Sequence, residues 1–126
     1  MCWFLIGSAS FSAECAEYGR EETVLLAQAI ESAAHDESYT VMLAVASVFV
    51  NRMNDSAYPD SLGAVIADSG IVPVSEAPSS SALRAASDAL RGFDPTSGAL
   101  RYERTDKTPQ EKSQGIKLGT DGWIFY

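Results

Sequence analysis

The feature that most constrains the fold of this chain is one apolar run, YTVMLAVASVFVNRM, from Tyr39 to Met53. Its apolar residues cover nearly every side of a helical wheel, which indicates a helix surrounded by protein. A buried strand is the competing interpretation, but the length of the run and the spacing of its alanines favour a helix. The uninterrupted apolar part is too short to cross a bilayer. The sequence therefore predicts one central buried helix and no stable membrane span.

Three further helices are predicted from apolar periodicity and capping residues. The first extends from about Glu21 to Ala33, with acidic residues in its first turn, where the helix dipole favours them. The second is the short segment SLGAVIAD, which Asp60 or Ser61 can cap. The third is SALRAASDALRGF, for which Ser79 to Ser81 offer N-caps and Gly92 is placed to end the helix.

The C-terminal part of the chain has the pattern of strands. ALRYERT alternates enough to be a strand, and GIKLGTDGWIFY is typical of a hairpin arm, a turn at Asp121-Gly122 and a closing strand. Alternation puts Trp123 and Phe125 on the same face of that strand. Because about four helices come first and a small antiparallel sheet follows, the predicted fold class is α+β.

Composition limits the classes of function. A chain of 126 residues with 46% hydrophobic and 21% charged residues is typical of one soluble globular domain. The formal charge is -8 and no Lys/Arg cluster is present, so nucleic acid is not an expected partner. Cys2 and Cys15 form no CxxC pair and have no second cluster beside them. We therefore expect no metal and no cofactor.

The N-terminus has two interpretations. CWFLIG followed by SASFSA resembles the end of a signal peptide with a small-residue cleavage zone, but no Lys or Arg precedes Arg20. The alternative is an apolar arm that packs on the domain. Residues 1-20 are therefore interpreted as an apolar arm or a truncated signal segment, and residues 21-126 as the domain. The two cysteines could join in an exported protein or remain free thiols.

The stretch IESAAHDESY, between the first predicted helix and the central one, contains the only histidine and three acidic residues. It is either a catalytic centre or a charged turn. Adjacent residues such as His35, Asp36 and Glu37 point in different directions, and no Gly-x-Ser-x-Gly turn marks a nucleophile, so a solvated loop histidine is the preferred interpretation. The acids are too few and too closely spaced for a calcium loop.

Four passages carry a resemblance to a known family. LLAQAIESAAHDESY is similar to LLARxxYAEARGExY, AVASVFVNRM to AVAAVVLNRV, YPDSLGAVI to FPxTxxxVI, and ALRAASDALRGFDPTSGALRY to AAxxALxGxDPTGGALYF. These are motifs of the spore-cortex-lytic, SleB-type cell-wall hydrolases. The resemblance, from about Leu25 to the C-terminus, implies a lysozyme-like fold, peptidoglycan glycan strands as the substrate, and a secreted or cell-envelope protein.

The resemblance also implies where the catalytic acid belongs. In the family it is the first glutamate of AEARGE, as in a lytic transglycosylase, and without gaps that position falls on Ala33. One alternative is that Glu31 acts after a slip of the helix, because a shift of two residues otherwise turns a side chain by about 200°. A second is that Glu37 acts, although it also suits a capping or first-turn role. The third is a domain that only binds glycan or a partner protein.

Two aromatic residues complete the candidate site. Tyr102 and Trp123 lie on the predicted sheet, where rings can stack against sugars, although packing on the helices is the competing role. The resemblance weakens near this groove, since Ile71-Val72, Glu103-Arg104-Thr105 and Trp123 depart from the family pattern. The sequence therefore predicts a hydrolase or lytic transglycosylase with a degenerate site, in which Glu31 and then Glu37 are the preferred acids.

Overall fold

The computed structural model describes residues 11–104, 118–120 and 122–126, of which residues 11–19, 119 and 120 are described by their backbone alone. The helices and strands, in chain order, are α1 (Phe11–Ala34), α2 (Tyr39–Met53), α3 (Leu62–Ser69), α4 (Ser80–Leu90), β1 (Tyr102–Arg104), β2 (Leu118–Thr120) and β3 (Trp123–Phe125). The α+β organisation is confirmed. Residues 1–10 of the predicted N-terminal segment over residues 1–20, with Cys2, lie outside the described residues, as does the turn residue Asp121.

Helix α2 has the bounds that the apolar run predicts. Its N-cap is Ser38, whose hydroxyl accepts a hydrogen bond from the backbone N–H of Val41 at 3.3 Å. The side chains of Val45, Val48 and Phe49 are fully buried. Burial of one such side chain contributes about 1.5–3 kcal/mol. This helix is therefore the centre of the hydrophobic core.

Helices α1 and α4 pack against α2. The buried residues of helix α4 all have small side chains, namely Ala82, Ala85, Ala86 and Ala89, so its backbone can approach closely. Leu83 and Leu90 of the same helix are partly buried against the core. Helix α1 contributes Leu26 and Ile30, both fully buried. The prediction that α1 begins near Glu21 is wrong, because the helix begins at Phe11 and continues through Gly19. A glycine in a helix costs only about 1 kcal/mol relative to alanine. It does not have to end a helix.

The three strands form one antiparallel sheet in the order β1-β3-β2. Tyr102 is paired with Phe125, and Arg104 with Trp123. The rings of Tyr102, Trp123 and Phe125 lie together, and that of Tyr102 meets the ring of Phe49 edge-on at 6.2 Å. The sheet therefore packs on α2 through aromatic contacts. Within the described residues, the helices are too short or too polar to cross a membrane.

Candidate active site

The turn between α1 and α2 is fixed at both ends. The backbone N–H of Glu37 donates to the carbonyl of Ala34 at 3.2 Å, Asp36 has a left-handed φ of 63°, and Ser38 caps α2. Ala33 lies in the last turn of α1, partly buried against the core. Its methyl group cannot transfer a proton. The position where the resemblance places the acid is therefore chemically inert.

Glu31 lies near the end of α1 and is hydrogen-bonded to the start of α4. Its Oε2 accepts a hydrogen bond from the backbone N–H of Ser79 at 2.6 Å, and its Oε1 lies 3.1 Å from Nδ1 of His35. The side chain of Glu31 is only 10% exposed. Ser79 is the N-cap of α4, so the carboxylate provides an acceptor beside the positive end of that helix.

The contact of Glu31 with Ser79 is one of several that attach the segment between α3 and α4 to α1. The backbone N–H of Val74 donates to the carbonyl of Gln28 at 3.2 Å, and the side-chain amide of Gln28 donates to the carbonyl of Glu76 at 3.3 Å. Glu31 continues this series one helical turn further along α1. Its contacts are those of a residue that docks one part of the fold on another.

The electrostatic environment of Glu31 favours its charged form. Hydrogen bonding by Ser79, with a smaller effect of His35, lowers the pKa of Glu31 even though burial acts in the opposite direction. A general acid of a glycosidase needs the reverse, a pKa raised toward the working pH so that the carboxyl carries a proton. This environment therefore argues against Glu31 as the proton donor.

Glu37 is turned toward the sheet. Its Oε2 lies 3.0 Å from Nη1 of Arg104, at the end of β1, and its side chain is only 15% exposed. The guanidinium carbon of Arg104 lies 5.5 Å from the centroid of the Trp123 ring. Glu37 thus connects the turn to the sheet, and its carboxylate is already engaged by a cation. Sequence reasoning did not assign a role to Arg104.

The two aromatic candidates differ in accessibility. Trp123 is only 3% exposed and stacks on Phe125, so its ring has no face open to a sugar. The indole N–H of Trp123 has no hydrogen-bond partner among the described residues. Tyr102 is half-buried, and burial raises its pKa against a smaller opposing effect of Arg52. Of the two, only Tyr102 keeps a partly exposed side chain.

His35 has the contacts of a solvated residue. Its side chain is 72% exposed, and Nε2 lies 3.3 Å from the carboxylate of Asp36. The hydrogen bond with Glu31, followed by the charge of Asp36, raises the pKa of His35. Neither contact provides a nucleophile. The part of the chain described by the structure also contains no cluster of three or more His, Cys, Asp or Glu side chains that could hold a metal ion.

A polar network at the other end of α2 was missed by sequence reasoning. One oxygen of Asp94 accepts from the N–H of Thr96 at 2.8 Å and from its hydroxyl at 2.5 Å. The other accepts from the N–H of Gly98 at 2.8 Å and from Asn51 at 3.0 Å. Asn51 also donates to the carbonyl of Ala99 at 2.9 Å. This network holds the DPTSGAL segment on α2.

The pKa of Asp94 follows from these contacts. Burial by itself would raise it, but the hydrogen bonds from Thr96, Asn51 and Gly98 together lower it. The sequence signal was present in two of the four matched motifs, Asn-Arg near the end of the apolar run and Asp-Pro-Thr after α4. Only the fold shows that these motifs meet.

An open apolar depression of about 400 Å³ lies between α1, α3 and the segment that follows α3. Its lining includes Leu25, Ile66, Ile71 and Val72. Val72 is 77% exposed. The predicted groove residues Ile71 and Val72 therefore form an apolar surface rather than a polar one.

The chain matches the family model described as Cell Wall Hydrolase over residues 36–126. Among curated proteins it is 34% identical to a spore cortex-lytic enzyme of Halalkalibacterium halodurans, with 87% of this chain and 32% of the relative aligned. It is 33% identical to the spore cortex-lytic enzyme of Bacillus subtilis, with 71% of this chain and 31% of the relative aligned. The chain thus spans about a third of the length of these relatives.

Two solved structures are similar to this fold. The catalytic domain of the Bacillus cereus SleB protein superposes with a TM-score of 0.68 at 26% identity, with coverage of 82% of this chain and 88% of the other. The catalytic domain of the germination-specific lytic transglycosylase SleB from Bacillus anthracis gives a TM-score of 0.68 at 26% identity, with coverage of 84% and 93%. The lysozyme-like α+β prediction agrees with these neighbours.

Proposed function

This chain belongs to the cell wall hydrolase family, and from that premise we propose that it acts on the glycan strands of peptidoglycan through a degenerate active site. It is a hydrolase or lytic-transglycosylase domain by descent. It retains the fold that holds a glycan strand and lacks an efficient proton donor. The domain therefore binds the strand but cleaves it slowly or not at all. We also propose that the protein is secreted or lies in the cell envelope, where peptidoglycan is found.

The observation that carries this proposal is Ala33 at the end of α1. The family's acid position falls on this residue, and each glutamate nearby has another contact. Glu31 accepts the hydrogen bond from Ser79 at the start of α4, and Glu37 is ion-paired with Arg104 at the end of β1. Without a protonated carboxyl at the scissile bond, general-acid assistance, typically a factor of about 10²–10⁴ in rate, is lost.

A second candidate function is slow lytic cleavage with Glu37 as the acid. Glu37 matches the second glutamate of the family motif, and its side chain lies between the turn and β1 at 15% exposure. Departure of Arg104 from the carboxylate on substrate binding would release Glu37 from its ion pair and allow it to carry the proton. Glu31 is a weaker candidate, because its pKa is lowered by Ser79.

The test separates binding from cleavage. The protein is incubated with insoluble purified peptidoglycan, and both co-sedimentation and the release of soluble anhydro-muropeptides are measured. We expect saturable binding, with product release no higher than in a buffer control. Release that exceeds the control and disappears in Glu37→Gln would establish the second candidate. Absence of saturable binding would contradict the proposed function.

A further inference from the structure

Arg104 presents a positive charge beside the turn that follows Ala33, the residue at the proposed acid position. Its side chain is 69% exposed, whereas that of its partner Glu37 is 15% exposed. The guanidinium is also placed over the ring of Trp123, 5.5 Å from the centroid. The negative end of the ion pair is thus turned inward, and the positive end faces solvent.

These two contacts prepare the guanidinium for a further partner. The ion pair engages Nη1, and a guanidinium carries further N–H donors at Nε and Nη2. Two such N–H groups match the two oxygens of a carboxylate. Because Glu37 and Trp123 already restrict the side chain, less conformational freedom remains to be lost when an anion binds.

The anions of peptidoglycan are in its peptide stems. The sugars of the glycan strand contribute hydroxyl and acetamido groups, whereas the stems carry carboxylates. We propose that Arg104 binds a stem carboxylate and that Glu37 is the positioning residue that orients it. The inference rests on the proposed function and deepens it, because the preferred ligand becomes the peptide-bearing strand rather than a neutral glycan.

The experiment compares two ligands. One is a soluble disaccharide-peptide fragment of peptidoglycan, and the other is a chitin oligomer, which has acetamido sugars without carboxylates. In Arg104→Gln, affinity for the peptide-bearing fragment should fall about tenfold, as expected for a charge-assisted hydrogen-bonded pair. Affinity for the chitin oligomer should not change. Glu37→Gln should weaken binding of the same fragment less and make the remaining affinity more sensitive to salt.

The matched control is Arg91→Gln. Arg91 is 67% exposed, pairs with Asp88 of 18% exposure at 3.5 Å, and lies over the ring of Phe93 at 5.8 Å, but it is at the end of α4. This variant should bind both ligands like the wild type. An equal loss for both ligands in Arg104→Gln, or no loss, would overturn the inference while leaving the proposed function intact. A wild-type protein that binds neither ligand would overturn both.

Discussion

The two ends of α2 differ in how closely they keep the polar residues of the family motifs. At the C-terminal end, Asn51 and Asp94 from two family motifs form a connected network whose donors and acceptors satisfy one another. At the N-terminal end, the turn between α1 and α2 keeps the frame of the family motif, and Ala33 is the residue on which the acid falls by resemblance. The glutamates on either side of Ala33 contact α4 and β1 instead.

The difference shows that residues required for folding and residues required for catalysis are under different constraints. A buried polar network destabilises the protein when one member is lost, because the remaining groups are left without partners. A catalytic carboxyl has no such structural constraint, and an alanine can replace it within a helix at no cost in helix propensity. A fold of this family can therefore persist when a catalytic carboxyl is replaced, which is what we propose for Ala33.

The largest effect is expected when the C-terminal network is broken. Asp94→Ala removes the acceptor of four hydrogen bonds, from Thr96, Gly98 and Asn51. We expect the free energy of unfolding to fall by about 3 kcal/mol, measured by urea denaturation. The control variant is Ser87→Ala, on α4. A loss below about 1 kcal/mol for Asp94→Ala would show that this network does not hold the fold.

The pH dependence of stability should be the next largest effect. The folded pKa of Asp94 and of Glu31 lies below the ordinary values of 3.8 and 4.5. Each therefore contributes stability that is present above its ordinary pKa and is lost as the pH falls through the folded value. Unfolding measured between pH 7 and pH 3 should show this loss below about pH 4. In Asp94→Asn the acid-dependent loss should be smaller; an identical pH profile would contradict the role of Asp94.

A smaller effect is expected for Glu31→Gln. The amide oxygen can still accept from the N–H of Ser79, but the charge at the start of α4 is lost. We expect a loss of about 1 kcal/mol in stability and no change in the products released from peptidoglycan. Unchanged stability together with an altered yield of muropeptides would instead assign Glu31 to the chemistry.

The smallest effect is expected for Tyr39→Phe. The hydroxyl of Tyr39 donates to the carboxylate of Asp88 and thereby connects the start of α2 to α4. Its removal leaves the ring and its contact with Arg84 in place. We expect a loss of about 0.5–1.5 kcal/mol, determined from thermal unfolding. A larger loss than in Asp94→Ala would reverse the comparison between the two ends of α2.

Sequence reasoning succeeded where local pattern determines structure. The bounds of α2 were predictable because a helix buried on all sides is apolar on all sides. The caps Ser61 and Ser79 are among the candidates that the sequence offered, Asp60 or Ser61 and Ser79 to Ser81, because a side-chain oxygen before an apolar periodic segment satisfies helical N–H groups. Alternation placed Trp123 and Phe125 on one face, but it could not decide whether that face meets the core or a ligand.

The contacts that define the site are long-range. Asn51 and Asp94 are 43 residues apart, and Glu31 and Ser79 are 48 residues apart. No local period indicates such pairs, so the docking role of Glu31 could not be distinguished from an acid role. The pairing of Glu37 with Arg104 likewise depends on where the sheet packs. The assignment of the acid position to Ala33, in contrast, rests on the motif alone and stays a prediction.

The central claim is that the chain lacks the proton donor at the end of α1 and retains the rest of the frame. Its most direct test is the rate at which Ala33→Glu and the wild type release anhydro-muropeptides from purified peptidoglycan. We expect release by Ala33→Glu and none above background by the wild type. Equal rates for the two proteins, abolished by Glu31→Gln or Glu37→Gln, would contradict it.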